Sequence, residues 1–396
     1  MNNITSKDLK GALSFAELEK LSVNEFKESY LPANFPVRKV RAFDYLTGRT
    51  PSGAIEAALA EEVESGIYKE IILDGQDWII DRAVLLPSNT ELVIDGCKLK
   101  LADGVFDNII RSAGLIPDSA KPYDRCKTIE PVRNIRITGK NGAVLEGSDK
   151  PYTALNPKTG VVEPWLGDFF GWRTVGILLS SVKCFEISGF TMQKTHCWAV
   201  SMDCSEYGCL HEIIFNTDVK NGDGIDFRNG CAYCMVENIS GTTSDDTVAC
   251  TALSGNYLTA ESKYIYPMQP TGHEGEGNSG IHDIVIRNIR TGGKHHGVIC
   301  LATSPSVYNI IIDSVVEERP STREACVKIY TGYGTGYKKG NLRNIKVNNV
   351  ASKGSNYTVM VKADVKNVRF TGIKQDRPDG ELFSFEGNSE DLTILP

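Results

Sequence analysis

The chain has 396 residues, 41% of them hydrophobic and 23% charged, with a net charge of −7. That length exceeds what one ordinary compact core serves, and a pI near 5.5 lacks the basic footprint of a nucleic-acid binder. No apolar run reaches 18 residues, so neither a nucleic-acid nor a membrane partner is expected.

The chain opens Met-Asn-Asn-Ile-Thr-Ser-Lys-Asp-Leu-Lys, with no apolar stretch and no cleavage site. This is not a signal peptide, and the expectation is a cytoplasmic protein. Ser14-Phe-Ala-Glu17 reads as a capping box opening a helix that runs to about Tyr30. Ser52 is read as the cap of a second helix, with Ala54, Ile55, Ala58, Leu59 and Val63 on one face. The period then falls to two, and Glu70 to Ile80 and Val84 to Leu101 read as strands.

From about residue 130 a repeat takes over. One strand type carries the pairs Ile135/Ile137, Phe185/Ile187, Cys234/Val236, Ile284/Ile286, Ile310/Ile312, Ile345/Val347 and Val368/Phe370. A second follows each, with Ile177/Leu179, Val200/Met202, Ile225/Phe227, Val248/Cys250, Val298/Cys300, Val327/Ile329 and Val359/Val361. Steps of mostly 22 to 35 residues suit a coil of three short strands and three turns. Hairpin turns for a sandwich are not placed between these strands. The fold expected is all-β, a parallel β-helix, in which each coil buries its apolar face on its neighbours. A solenoid end must be covered, so residues 1–68 are expected to be a helical cap and 69–396 a single β-helix domain. Residues 374–396 read as a polar closing segment. Long insertions are expected at about 141–172, with Trp165, Phe169, Phe170 and Trp172, and at 253–281, with Tyr257, Tyr264, Tyr266, His273, Glu274 and Glu276. Aromatic and polar groups mixed in this way are what sugar rings stack on.

Eleven cysteines are an odd number. Cys184, Cys209 and Cys234 recur at steps of 25, close to one coil, and read as a ladder of small buried side chains. The spacing of Cys204, Cys209, Cys231 and Cys234 is not that of a zinc knuckle, so no metal is expected. No nucleotide or flavin fingerprint is present, so no organic cofactor is expected.

Three segments carry the chemistry: Asn221-Gly-Asp-Gly-Ile-Asp226, Ser244-Asp245-Asp246 and His295-His296-Gly297. Asp223, Asp246 and His296 each stand two residues before an apolar pair. In parallel stacked strands such positions line up about 4.8 Å apart per coil. Clustered carboxylates drive their pKa values apart, which lets one site hold both a general acid and a general base. An aspartate at a turn is often only an Asx-turn former, but three that line up across coils point to a site.

The stretch from Cys184 to Ile329 resembles glycoside hydrolase family 28, the polygalacturonase-like enzymes of the pectin-lyase-like β-helix superfamily. That family's motifs are Asn-Thr-Asp-Gly-x-Asp, Gly-Asp-Asp, Gly-His-Gly and Arg-Ile-Lys on successive coils. Here Gly222 stands for the Thr, Ser244 and His295 for two leading glycines, and Thr195-His-Cys-Trp198 is similar to the entry before the active coils. The resemblance implies a right-handed helix and an inverting glycosidase acting on a polysaccharide or oligosaccharide. It implies Asp245 as general acid, Asp223 and Asp246 as the groups that activate water, and His296 as the residue tuning the acid. In place of Arg-Ile-Lys the chain has Lys328-Ile-Tyr330, which puts recognition of a uronate carboxylate in question. With Lys328 and Tyr330, we expect Asp226, His295, Trp198 and Arg228 to bind a carbohydrate substrate. Two other classes stay open: a lyase or epimerase, for which Asp223, Asp245 and Asp246 could hold Ca²⁺, and a non-catalytic tailspike-like or adhesin-like glycan binder.

Overall fold

In the computed structural model, residues 13–31, 35–117, 126–155, 159–164, 166, 175–253, 280–318, 323–333 and 336–396 are described. The chain forms a right-handed parallel β-helix. The two families of apolar pairs stack as the sequence predicts. Ile135, Phe185, Cys234, Ile284, Ile310, Ile345 and Val368 share one column, with Gly208 between Phe185 and Cys234. Ile177, Val200, Ile225, Val248, Val298, Val327 and Val359 share another, in a ten-stranded sheet. Their side chains form one continuous core from Val40 to Phe370.

Gly208 belongs to the first family but carries no side chain, because the ring of Phe185 fills its place. A Cβ on Gly208 would lie 2.0 Å from Cζ of Phe185. Each coil bends at residues in the left-handed region, among them Asn238, Asn288, Ser314 and Asn349 in one column and Asp283, Asn309, Asn344 and Asn367 in another. Asn and Asp tolerate that conformation better than other side-chain-bearing residues. In the second column the amides also form a ladder: Asn309 donates to Asp283, Asn344 to Asn309 and Asn367 to Asn344.

The N-terminal segment holds more than the two helices expected. The helix predicted from Ser14 to Tyr30 is broken into Phe15–Leu18 and Val23–Tyr30, because Ser22 and Glu25 form a second capping box. The next helix, Pro51–Ala60, is capped by Thr50 with Pro51 in its first turn, not by Ser52. Ser52 is buried instead and its Oγ accepts from the amide of Asp81. This third helix packs Ala54, Ile55 and Ala58 onto the first coils of the core. Between the helices, Val37–Arg41 pairs in parallel with Tyr68–Leu73 as the first rung of the main sheet.

The first two helices lie along the flank of the solenoid. Leu18, Phe26 and Tyr30 pack on Tyr207, Cys209, Met235, Val285 and Ile311. Lys27 reaches the buried carboxylate of Glu186 at 2.5 Å, where His211 approaches to 3.0 Å. Arg287 donates to the carbonyl of Leu21, and Lys346 pairs with Glu19 at 2.7 Å.

Three expectations change. The cysteine spacing of 25 does not follow the register: Cys184 falls one residue before the Phe185 column, Cys209 one residue after it, and only Cys234 in it. Of the ten cysteines whose side chains are described, nine are nevertheless buried and all ten are free. Val144–Glu146, placed in the first insertion, is a strand in register with its neighbours. The closing segment is a further coil, Glu381–Phe385 and Ser389–Leu395, with Leu382, Phe385 and Ile394 exposed. The aromatic residues expected in the two insertions lie outside the described residues.

Candidate active site

The ten-stranded sheet positions the chemistry. Within each of its strands the apolar pair points into the core, and the residue between the pair points out. Counting back two residues from Val200, Ile225, Val248 and Val298 gives one column, Trp198, Asp223, Asp246 and His296. The ladder bonds agree: the amide of Ala199 donates to the carbonyl of Asp223, Gly224 to Asp246, and Thr247 to His296. One residue further back, Gly222, Asp245, His295 and Glu324 form the adjoining column. Asp226 and Lys328 lie between the pairs of their strands and face outward.

These columns floor a cleft of about 500 Å³. Every sequence-predicted site residue lines it: Asp223, Asp226, Asp245, Asp246, His295, His296, Trp198, Arg228, Lys328 and Tyr330. The Arg228 guanidinium sits 4.9 Å from the centre of the Trp198 ring, and the Lys328 ammonium 4.6 Å from that of Tyr330. Such contacts hold a cation and an aromatic face in one place.

Asp223, Asp245 and Asp246 each present an oxygen within 4.8 Å of the others. Their surroundings separate them. Asp223 is 6% exposed, and its Oδ1 has no hydrogen-bond partner among the described residues. Burial, helped by the charges of Asp226, Asp245 and Asp246, pushes its pKa well above the usual carboxylate range. Burial acts the same way on Asp246, but His296 and His295 outweigh it and hold Asp246 ionised. Nδ1 of His296 stands 2.7 Å from Oδ1 of Asp246, and Nδ1 of His295 stands 2.8 Å from the same oxygen. His295 is half exposed and also lies 2.7 Å from Asp245. Burial disfavours its cation, yet the two carboxylates raise its pKa to about 10. Burial dominates at His296 and lowers its pKa. His296, expected beside the acid, touches Asp246 instead. His295 is the imidazole that reaches Asp245, because it occupies the same column one coil away.

The departures from the family motif at positions 222 and 244 fit each other. A Cβ on Gly222 would lie 2.3 Å from Oγ of Ser244 and 2.8 Å from the carbonyl of Val219. Ser244 therefore occupies the space a larger residue at 222 would need. Gly222→Thr is expected to cost about 1–3 kcal/mol through overpacking. Ser244→Gly in the same chain is expected to recover part of it, a coupling of about 0.5–3 kcal/mol in a denaturation double-mutant cycle.

Glu324 is a cleft residue that the sequence motifs do not include. Its carboxylate bonds Lys328, pairs with Lys362 at 3.0 Å and comes within 3.9 Å of Nε2 of His296. Burial opposes ionisation, but the two lysines lower its pKa to about 2. Counting three residues back from Val327, as Asp245 is three back from Val248, would have found it. Ligand atoms of Asp246, His295 and His296 also lie within 4.8 Å of one another, a donor set of the kind that ligates cations.

No known family's sequence profile matches the chain, and no curated protein matches it. Among solved structures it is similar to a hyperthermoactive exopolygalacturonase from Thermotoga maritima, at 16% identity, with 94% of this chain and 95% of that one covered and a TM-score of 0.51. It is similar to the polygalacturonase of Erwinia carotovora ssp. carotovora, at 15% identity over 91% and 98%, TM-score 0.53. The family GH82 iota-carrageenase from A. fortis gives 12% identity over 92% of each chain, TM-score 0.59. At these identities the likeness is one of fold, and it agrees with the β-helix read from the repeat.

Proposed function

We propose that the protein is a glycoside hydrolase that cleaves a polysaccharide or oligosaccharide in this cleft. The observation that carries the proposal is the convergence of Asp223, Asp245 and Asp246, from adjacent coils, beside aromatic faces and cations. The structural neighbours described as polygalacturonases and a carrageenase support a glycan substrate.

In this reading Asp245, the most exposed of the three, protonates the leaving oxygen. Asp246, fixed by two imidazoles, and Asp223 hold the attacking water. His295 orients Asp245, and His296 locks Asp246 through both its ring and its amide. Tyr330 supplies a stacking surface, Trp198 backs the Arg228 guanidinium from the cleft wall, Arg228 and Lys328 supply positive charge, and Asp226 accepts from sugar hydroxyls.

The test is release of reducing ends from a panel of pectic and other plant oligosaccharides, assayed in chelator and again with added Ca²⁺. Release of reducing ends with no unsaturated product supports hydrolysis. Product absorbing in the unsaturated-uronate band would replace the proposal with a lyase. Inversion at the anomeric carbon is the expected stereochemistry. The carboxylate oxygens approach more closely here than the roughly 6.5–9.5 Å usual between the acid and base of inverting enzymes. Proton NMR of the first product therefore decides: a retained anomer would make Asp246 a nucleophile instead of a base.

A further inference from the structure

We infer that the floor of the cleft is a binding site for one first-row divalent transition-metal ion, ligated by His295, His296 and Asp246 with Asp245 at its edge. The arrangement around Asp246 is the first observation. One carboxylate oxygen, Oδ1, meets the Nδ1 atoms of two imidazoles at 2.7 and 2.8 Å, and the His296 amide at 3.3 Å. Nδ1 of His295 is also 2.7 Å from Oδ1 of Asp245. Four side chains thus direct donor atoms at one small region.

A second observation is independent of those contacts. Oδ1 of Asp223 is buried without a hydrogen-bond partner among the described residues, in a residue 6% exposed, and Asp223 presents an oxygen within 4.8 Å of Asp245 and Asp246. An unsatisfied buried carboxylate oxygen is costly unless something else meets it. Asp223 lies one coil before Asp246 and the two histidines one coil after it, so the unmet oxygen borders the same polar floor from the other side of Asp246.

The donor set indicates the kind of ion. Calcium and magnesium take oxygen ligands, whereas two imidazoles with a carboxylate suit zinc, manganese, iron, cobalt or nickel. Two ligands each about 2.0–2.2 Å from one tetrahedral ion stand about 3.3–3.6 Å apart. The present contacts of 2.7 and 2.8 Å therefore need to open by about 0.5–0.9 Å, within reach of small side-chain rotations. His295, which stands where the motif that the chain resembles has glycine, supplies the second imidazole.

An ion here occupies Asp245 and Asp246, the acid and the water-holding base of the proposed hydrolysis. Metal binding and hydrolysis are then mutually exclusive, and the ion is a reversible inhibitor. The binding claim itself does not depend on the hydrolase reading, because it is measured without substrate.

The experiment is calorimetric titration of the chelator-treated full chain with ZnCl₂. Wild type is expected to bind one ion per chain at this site. His295→Gly and Asp246→Asn are each expected to weaken binding by more than the about 10–100-fold that even outer-sphere changes cost. His282→Gln, on the far flank beside Asp283, is expected to leave it unchanged. Absence of saturable binding would overturn the inference, as would binding that both site variants retain. Should either variant fail to fold by its thermal transition, the visible spectrum of Co²⁺-loaded wild type decides. Ligand-field bands typical of imidazole and carboxylate donors support the site, and the spectrum of the aquo ion overturns it.

Discussion

Asp245→Asn is expected to lower kcat on a natural glycan by about 10²–10⁴-fold, the usual contribution of a positioned general acid, with KM nearly unchanged. Asn keeps the shape of the side chain and its place in the column after Gly222, but it cannot give a proton to the leaving oxygen. The assignment has a sharper signature than loss of rate. An aryl glycoside with an acidic phenol leaves without protonation, so on that substrate Asp245→Asn should recover most of its rate. Asp246→Asn should not, because its water still lacks a base. Steady-state kinetics on both substrates, in chelator, check this. Equal losses on both substrates for both variants would remove the distinction between acid and base. Unchanged rates in Asp245→Asn would remove Asp245 from the chemistry.

Glu186→Gln is expected to release the flank helices while leaving the solenoid folded. Glu186 is buried and meets Lys27 and His211, with Arg136 3.8 Å away. Breaking a fully buried pair costs about 3–5 kcal/mol and an exposed one about 0–1 kcal/mol. With Lys27 partly exposed, a cost of about 2–3 kcal/mol is expected for docking of residues 23–30. Hydrogen exchange in Val23–Tyr30 reads it directly, since a solenoid opens locally before it opens globally. The same carboxylate sets an acid limit. Burial opposes its ionisation, but His211 and Lys27 bring its pKa down to about 2, from the 4.5 of an ordinary glutamate. Its stabilisation is complete above the ordinary glutamate range and is lost as pH falls from about 4.5 towards 2. The difference between wild type and Glu186→Gln should shrink over that window. A constant difference would place the stabilisation elsewhere.

The repeat made the coils legible because a solenoid writes its register into the chain. Ile225, Val248 and Val298 bury against each other, so counting back from them along the chain is enough to put Asp223, Asp246 and His296 in line. The residues that escaped are those that counting ignores. Glu324 lies at the right offset but in a stretch that matches no family motif. The break between the first two helices depends on Ser22 and Glu25, a capping box inside an otherwise continuous apolar pattern. The cysteine spacing misled because coils differ in length: the step from the Cys184 column to Tyr207 is 23 residues and on to Tyr233 is 26, not a uniform 25. Contacts such as His295 with both Asp245 and Asp246 depend on rotamers, which no periodicity encodes.

The flank helices carry one further consequence, for the order in which a ribosome can deliver this fold. Coils pair with the preceding coil, so each can settle soon after it is made. Leu21 and Glu19 instead find partners in Arg287 and Lys346, the second 327 residues away. At about 5–20 residues per second, the N-terminal helices wait tens of seconds for that surface. Until the coils carrying Tyr207, Cys209 and Met235 follow, Leu18, Phe26 and Tyr30 remain uncovered in the nascent chain, and the polar contacts to Arg287 and Lys346 close later still. These early-made helices are therefore buried well after the coils that follow them.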